Sequence, residues 1–153
     1  MQELKQYIDQ WVKSLSVKRP EIGNFPICPF SGKAKYHLIS STFYGGVREA
    51  LDKIGEYDII IINLEEHYTP DELEKEVDLY NNNLRHDDIY IFYDHPDQLE
   101  NINGVVTNNK KYTLLLIQKL SDLNKASDSL KKTNYYSYWT KQYYDKIVTK
   151  REV

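Results

Sequence analysis

Two residues combine the chemistry and the setting that active sites use. Cys28 is the chain's single cysteine, set in Phe25-Pro26-Ile27-Cys28-Pro29-Phe30-Ser31-Gly32-Lys33. A nucleophilic cysteine needs a lowered thiol pKa, supplied by a cation, backbone amides or a helix N-terminus. Lys33 stands five residues on, Ser31-Gly32 can present amides, and the neighbouring prolines hold the sulfur in place. The plainer alternative is a small buried hydrophobe, the commoner fate of a free cysteine. A Cys-Pro dipeptide can also ligate haem iron through its thiolate. A dipeptide alone assigns no cofactor, and none is assigned.

His95 lies in Asp94-His95-Pro96-Asp97, directly after the apolar run DIYIFY. Ligands of parallel sheets collect beyond the carboxyl ends of strands, and a histidine there can act as acid or base. The alternative is a polar turn residue before a proline. His86-Asp87-Asp88 also has metal-ligand types, but the intervening strand spans roughly 20 Å, so the two groups cannot share an ion. Glu65-Glu66-His67 follows another apolar run and would neighbour His95 if the two strands were parallel and adjacent. That makes a carboxylate–histidine site conceivable, but no metal site is assigned. Gly45-Gly46 before a helix can cradle an anion. Its spacing matches neither GxGxxG nor a Walker loop, and no GxSxG elbow occurs.

The elements that must position these residues follow from periodicity. Leu4, Ile8, Trp11, Val12 and Leu15 share one helical face, which predicts a helix over 1–16. Residues 18–34 hold three prolines and two glycines and read as a loop, pinned by Phe25, Ile27 and Phe30. A strand is predicted over 35–40, then a helix over 43–54 with Val47, Ala50, Leu51 and Ile54 inward and Gly55 as its stop. Four consecutive isoleucines between Asp58 and Asn63 predict a strand buried on both faces. Thr69-Pro70-Asp71-Glu72 has a cap, a proline at the first helical position and a capping-box glutamate, so a helix starts there and runs to about 79–82. Asp88–Tyr93 is a further buried strand. Residues 112–148 read as a C-terminal helical part, although TLLLIQ at 113–118 suits a strand equally well. Strands alternating with helices across 35–93 indicate a βαβαβ unit. The fold class is therefore α/β: a single domain with a largely parallel sheet, against which the N-terminal and C-terminal helices pack.

Composition narrows the function. The chain has 153 residues, of which 41% are hydrophobic and 28% charged, which is globular usage rather than disorder. Its net charge is -3, and its lysines and arginines are dispersed, so the cationic footprint of nucleic-acid binding is missing and no nucleic-acid partner is expected. No stretch approaches ~20 apolar residues, so no membrane partner is expected. The first residues lack the basic and apolar segments of a signal peptide, which makes the cytoplasm the expected compartment. One cysteine excludes an internal disulfide and a thiolate-rich zinc site. Fourteen tyrosines with abundant Asn, Lys and Ile fit an AT-rich coding genome.

Several fragments, in order, resemble a bacterial domain family of unknown function. Its marks are a first helix, a CPF motif, a Tyr-Asn pair in a helix, a Phe-His-Pro motif after a strand, and Asn-Arg-Ser-Pro-Tyr-Pro before a leucine-rich helix. The matching pieces are Trp11-Val12, Cys28-Pro29-Phe30, Leu79-Tyr80-Asn81, His95-Pro96, and Asn108-Asn109-Lys110-Lys111-Tyr112 ahead of Leu114-Leu115. Asp94 stands in place of the family's Phe, Asn109 of its Arg, Lys110-Lys111 of its Ser-Pro and Thr113 of its second Pro. The resemblance implies no reaction, but it places Cys28 and His95 together on matched motifs.

The expectation is a small-molecule enzyme or ligand-binding domain, with a site between the CPF loop and the loop after the 88–93 strand. Cys28 is expected as nucleophile or thiolate ligand and His95 as its acid/base partner. Lys33, Tyr80, Asn81 and Asn108 are the expected binding and orienting groups. The alternative is a non-catalytic interaction protein that exposes its Tyr-rich C-terminal segment (Tyr135, Tyr136, Tyr138, Trp139, Tyr143, Tyr144) as a patch, for example at a homodimer interface.

Overall fold

A computed structural model describes residues 2–152. In chain order the elements are α1 (Gln2–Leu15), β1 (Tyr36–Ser41), α2 (Phe43–Lys53), β2 (Ile59–Leu64), α3 (Pro70–Leu84), β3 (Ile89–Asp94), β4 (Asn101–Ile102), β5 (Val105–Val106), β6 (Leu114–Lys119), α4 (Leu120–Lys131) and α5 (Lys141–Ile147). The chain divides into two compact units, one of residues 34–99 with 108–120 and one of residues 1–33, 100–107 and 121–153.

The first unit carries the four-stranded sheet, in the order β1-β2-β6-β3. β1 and β2 are parallel, and β6 runs antiparallel to both β2 and β3. β1, α2, β2, α3 and β3 thus follow one another with all three strands pointing the same way, as the alternation of elements predicts. The expected largely parallel sheet is corrected in one respect: β6 is inserted between β2 and β3. Residues 114–119 are therefore a strand, not the start of the C-terminal helical part. Leu114-Leu115-Leu116-Ile117 is apolar at every position, and pairing with β2 and β3 selects the strand. Leu114, Leu115 and Ile117 are fully buried, which a central strand covered on both faces permits and a one-sided helix does not.

α2 and α3 cover one face of this sheet. Phe43, Val47 and Ala50 of α2 and Leu73 and Val77 of α3 pack on Ile39, Ile60, Ile62, Ile91, Leu115 and Ile117. Fully burying one such side chain contributes about 1.5–3 kcal/mol. The inward stripe of α2 runs 43-46-47-50, which leaves Leu51 exposed where the sequence reading placed it inward. Gly46 is what lets α2 approach, because a Cβ there would lie 2.8 Å from Ile62 Cγ2. The capping box of α3 forms as read: Thr69 Oγ1 accepts from Glu72 N–H at 3.2 Å, and Glu72 Oε1 accepts from Thr69 N–H at 2.9 Å.

The second unit is built around α1, the 18–33 loop and the C-terminal helices. Ile22, Ile102 and Val105 form its small core, with Ile27, Trp139 and Tyr143 against them. Phe25 meets Tyr135 edge-on at 5.6 Å, but Phe30, expected to pin the loop, is 47% exposed. Ile22, in the 3-10 turn Pro20–Ile22, is the buried anchor in its place. β4 and β5 form a hairpin closed by Asn103-Gly104, both at positive φ (49° and 88°). Asn-Gly is the strongest short-range hairpin signal, and it stands in the sequence between Ile102 and Val105.

The aromatic C-terminal segment packs on itself. Tyr136, Trp139 and Tyr144 meet in T-shaped pairs at 4.9 and 5.1 Å, and Tyr135 lies edge-on to Tyr136 at 4.9 Å. Of the six rings only Tyr138 is more than a third exposed, so the patch that the interaction-protein alternative needs is largely turned inward. Among the described residues no helix is long and apolar enough to cross a membrane.

Candidate functional site

Cys28 and Lys33 belong to the helical unit. Cys28 is held by its main chain: its N–H donates to Leu15 O at 2.8 Å, and its carbonyl accepts from Ser31 N–H and from Ser31 Oγ at 3.1 Å. Burial pushes its thiol up, and this outweighs the lowering by hydrogen bonds from the Phe30 and Ser31 backbone and the Ser31 hydroxyl. The amides anticipated near the sulfur are thus present, yet desolvation of the thiolate wins. Lys33 is exposed. Cys28 should therefore resist alkylation near pH 7 in the folded protein, with a rate that begins to climb only above the ordinary thiol range of ~8.5. Fast native labelling at pH 7, timed against the unfolded chain, would count against this.

The remaining candidates lie in the sheet unit. Tyr80 rests on Phe43, with ring centroids 4.7 Å apart, and its phenol is pushed up by burial and then by Glu76. Asn81 is 3% exposed, and its carboxamide is turned to the main chain of β3. Nδ2 donates to Ile91 O at 3.0 Å, and Oδ1 accepts from Ile91 N–H at 2.8 Å. β3 is an edge strand, and this side chain supplies there the donor and acceptor that a further strand would supply. Asn81 therefore closes a sheet edge.

His95 is 4% exposed and directly follows β3. Its Nδ1 accepts from Asp97 N–H at 3.0 Å, which places the ring proton on Nε2, and Nε2 donates to Tyr68 O at 2.7 Å. Both ring nitrogens thus serve main-chain partners, and the ring fastens the loop after β2 to the turn after β3. β2 and β3 are not adjacent as the expected carboxylate–histidine site required, because β6 separates them. Among the described residues no group of three or more His, Cys, Asp or Glu side chains could hold a metal ion. The Gly45-Gly46 helix start is occupied from within the chain: Phe43 N–H donates to Glu66 Oε1 at 2.6 Å and Gly45 N–H to Thr42 Oγ1 at 3.2 Å.

His95 and Asn108 are brought together. Asn108 Nδ2 donates to His95 O at 3.1 Å and reaches Pro96 O at 3.5 Å. Gln98 N–H donates to the same His95 carbonyl at 3.1 Å. Next to them Asn109 ties the returning chain to the end of β3. Its N–H and Nδ2 donate to Asp94 Oδ2 at 2.8 and 2.6 Å, and its Oδ1 accepts from Lys111 and Tyr112 N–H at 3.0 and 2.7 Å. An arginine could not make that turn, because it has no acceptor.

Two atoms in this knot are unsatisfied. Asn108 Oδ1 and Gln98 Oε1 are buried without a hydrogen-bond partner, and Asn108 is 6% exposed. An unmade hydrogen bond on a buried polar atom costs about 1–3 kcal/mol, and an unpaired buried group of this kind calls for an explanation. Sequence reading missed Gln98 because a glutamine in a turn carries no pattern. It missed the role of Asn109 because that position read only as a departure from a motif.

No protein family, curated protein or solved structure matches the chain.

Proposed function

We propose that the protein is a small-molecule-binding protein whose site lies in the sheet unit, at the carboxyl end of β3, where Gln98 and Asn108 gather on the His95 carbonyl. The observation that carries this reading is the buried, unpartnered Asn108 Oδ1. Strand carboxyl ends are where open α/β sheets hold their ligands, and a preformed polar atom without a partner is what a ligand's hydrogen bond completes. Binding is favoured over Cys28–His95 catalysis because both nitrogens of His95 serve main-chain partners and burial raises the Cys28 thiol. The resemblance to the bacterial domain family is kept within this proposal, since His95-Pro96 and Asn108 lie on its matched motifs.

The test is a metabolite screen on the intact, 15N-labelled chain, following the side-chain amide resonances of Asn108 and Gln98. At least one compound is expected to move both resonances saturably and to raise the melting temperature. No response from any compound, together with a crystal structure showing one ordered water on both oxygens, would overturn the proposal.

A further inference from the structure

The two edges of the four-stranded sheet, β1 and β3, are finished differently. At β3 the Asn81 carboxamide meets the outward main chain. At β1 the bonds to β2 fix which groups turn outward. The carbonyls of Lys35 and Ser41 face β2, accepting from Ile59 and Glu65 N–H at 3.3 and 3.0 Å. A strand directs the main-chain groups of successive residues to opposite sides, so His37 and Ile39 also face β2, while Tyr36, Leu38 and Ser40 face away from it. Among the described residues no hydrogen bond reaches the main-chain N–H or C=O of Leu38 or Ser40, and neither residue is buried. Native sheets protect such an edge with a very short strand, lysine, proline, a bulge or a covering element. β1 has six residues, none of them lysine, proline or a carboxylate. It pairs with β2 in unbroken register and holds no residue at positive φ.

We infer that a second copy of this chain covers the edge, with β1 pairing antiparallel to the partner's β1 about a twofold axis at Leu38. In this register Leu38 faces the partner's Leu38, and Tyr36 faces the partner's Ser40. Such pairs exchange both of their main-chain hydrogen bonds. The edge is its own complement, because the same donors and acceptors stand on both strands, as a twofold contact requires. Tyr36–Ser41 carries no lysine, arginine or carboxylate, so the paired strands meet without the repulsion that a net charge of -3 on each chain would otherwise bring. The two leucines meet on the sheet face away from α2, because neighbouring Ile39 packs into the core beneath α2. The two sheets become one continuous sheet, and growth stops at two copies because Asn81 seals β3, the other edge.

The test is the mass of the intact chain by light scattering after size exclusion, with amide hydrogen exchange on the same sample. The expected mass is twice the chain's 18.2 kDa, with the Leu38 and Ser40 amides protected as well as those of His37 and Ile39. Leu38→Lys sets two like charges opposite each other and should weaken the pairing by about tenfold or more. Ser40→Pro removes an outward N–H and leaves the bonds to β2 in place. Both variants are expected to run as single chains with an unchanged circular dichroism spectrum. A single-chain mass for the parent at NMR concentrations overturns the inference. So does a dimer whose Leu38 and Ser40 amides exchange freely, or one that persists in both variants.

Discussion

Asn81→Leu lowers the stability of the sheet unit by about 2–5 kcal/mol, because it leaves a buried N–H and a buried C=O of Ile91 without partners. Ile91 is 1% exposed, so water cannot replace the lost carboxamide. Leucine resembles asparagine in size, so the loss reports hydrogen bonding more than cavity formation. Urea denaturation measures it as a lower midpoint with an unchanged slope. Asn82, next to it on α3 and exposed, is the control, and Asn82→Ala should change stability by less than about 0.5 kcal/mol. The uncovered edge of β3 should also promote association between chains, visible as concentration-dependent light scattering in Asn81→Leu alone. A midpoint within error of the parent chain would show that the edge needs no partner.

Alkaline solution destabilises the helical unit. Burial pushes the Tyr135 phenol strongly up, with smaller contributions from Cys28, Tyr136 and Tyr143. Burial likewise raises Cys28 and Tyr136. Each is an acid that holds its proton in the folded chain to a higher pH than in the unfolded chain. Their contribution is complete below the unfolded values, ~8.5 for the thiol and ~10 for the phenols, and it is lost as pH rises beyond them. Above pH ~10 each withheld proton lowers stability by about 1.4 kcal/mol per pH unit. Tyr135 donates to the Ile27 carbonyl and is 5% exposed, so its ionisation cannot be relieved by solvent. Tyr68 and Tyr80 of the sheet unit are also raised, but they are half-buried, and solvent screening shrinks their effect. Unfolding free energies from pH 7 to 11, followed by the fluorescence of Trp139 and Trp11, should fall with a slope that Tyr135→Phe makes shallower. A parallel fall in both proteins would remove Tyr135 as the cause.

Local sequence determined most of the elements, because their signals act within a few residues. The four isoleucines of β2, the cap and glutamate that start α3, and the 3.6-residue stripe of α1 each specify a conformation without reference to distant partners. The carboxyl end of β3 was legible as a polar turn for the same reason. The chain alone could not place β6, because an apolar run suits a strand or a buried helix equally, and only pairing with β2 and β3 selects the strand. That single insertion moved β3 away from β2. Asn81 serves the main chain of that edge strand, and the loop after β2 reaches the His95 ring through the Tyr68 carbonyl. The histidine and cysteine suggested chemistry by residue type alone. What the nitrogens of His95 and the thiol of Cys28 are free to do was decided by burial and by main-chain partners distant in sequence. The burial of the Gln98 and Asn108 oxygens arises the same way, because only the fold takes a carboxamide away from bulk solvent.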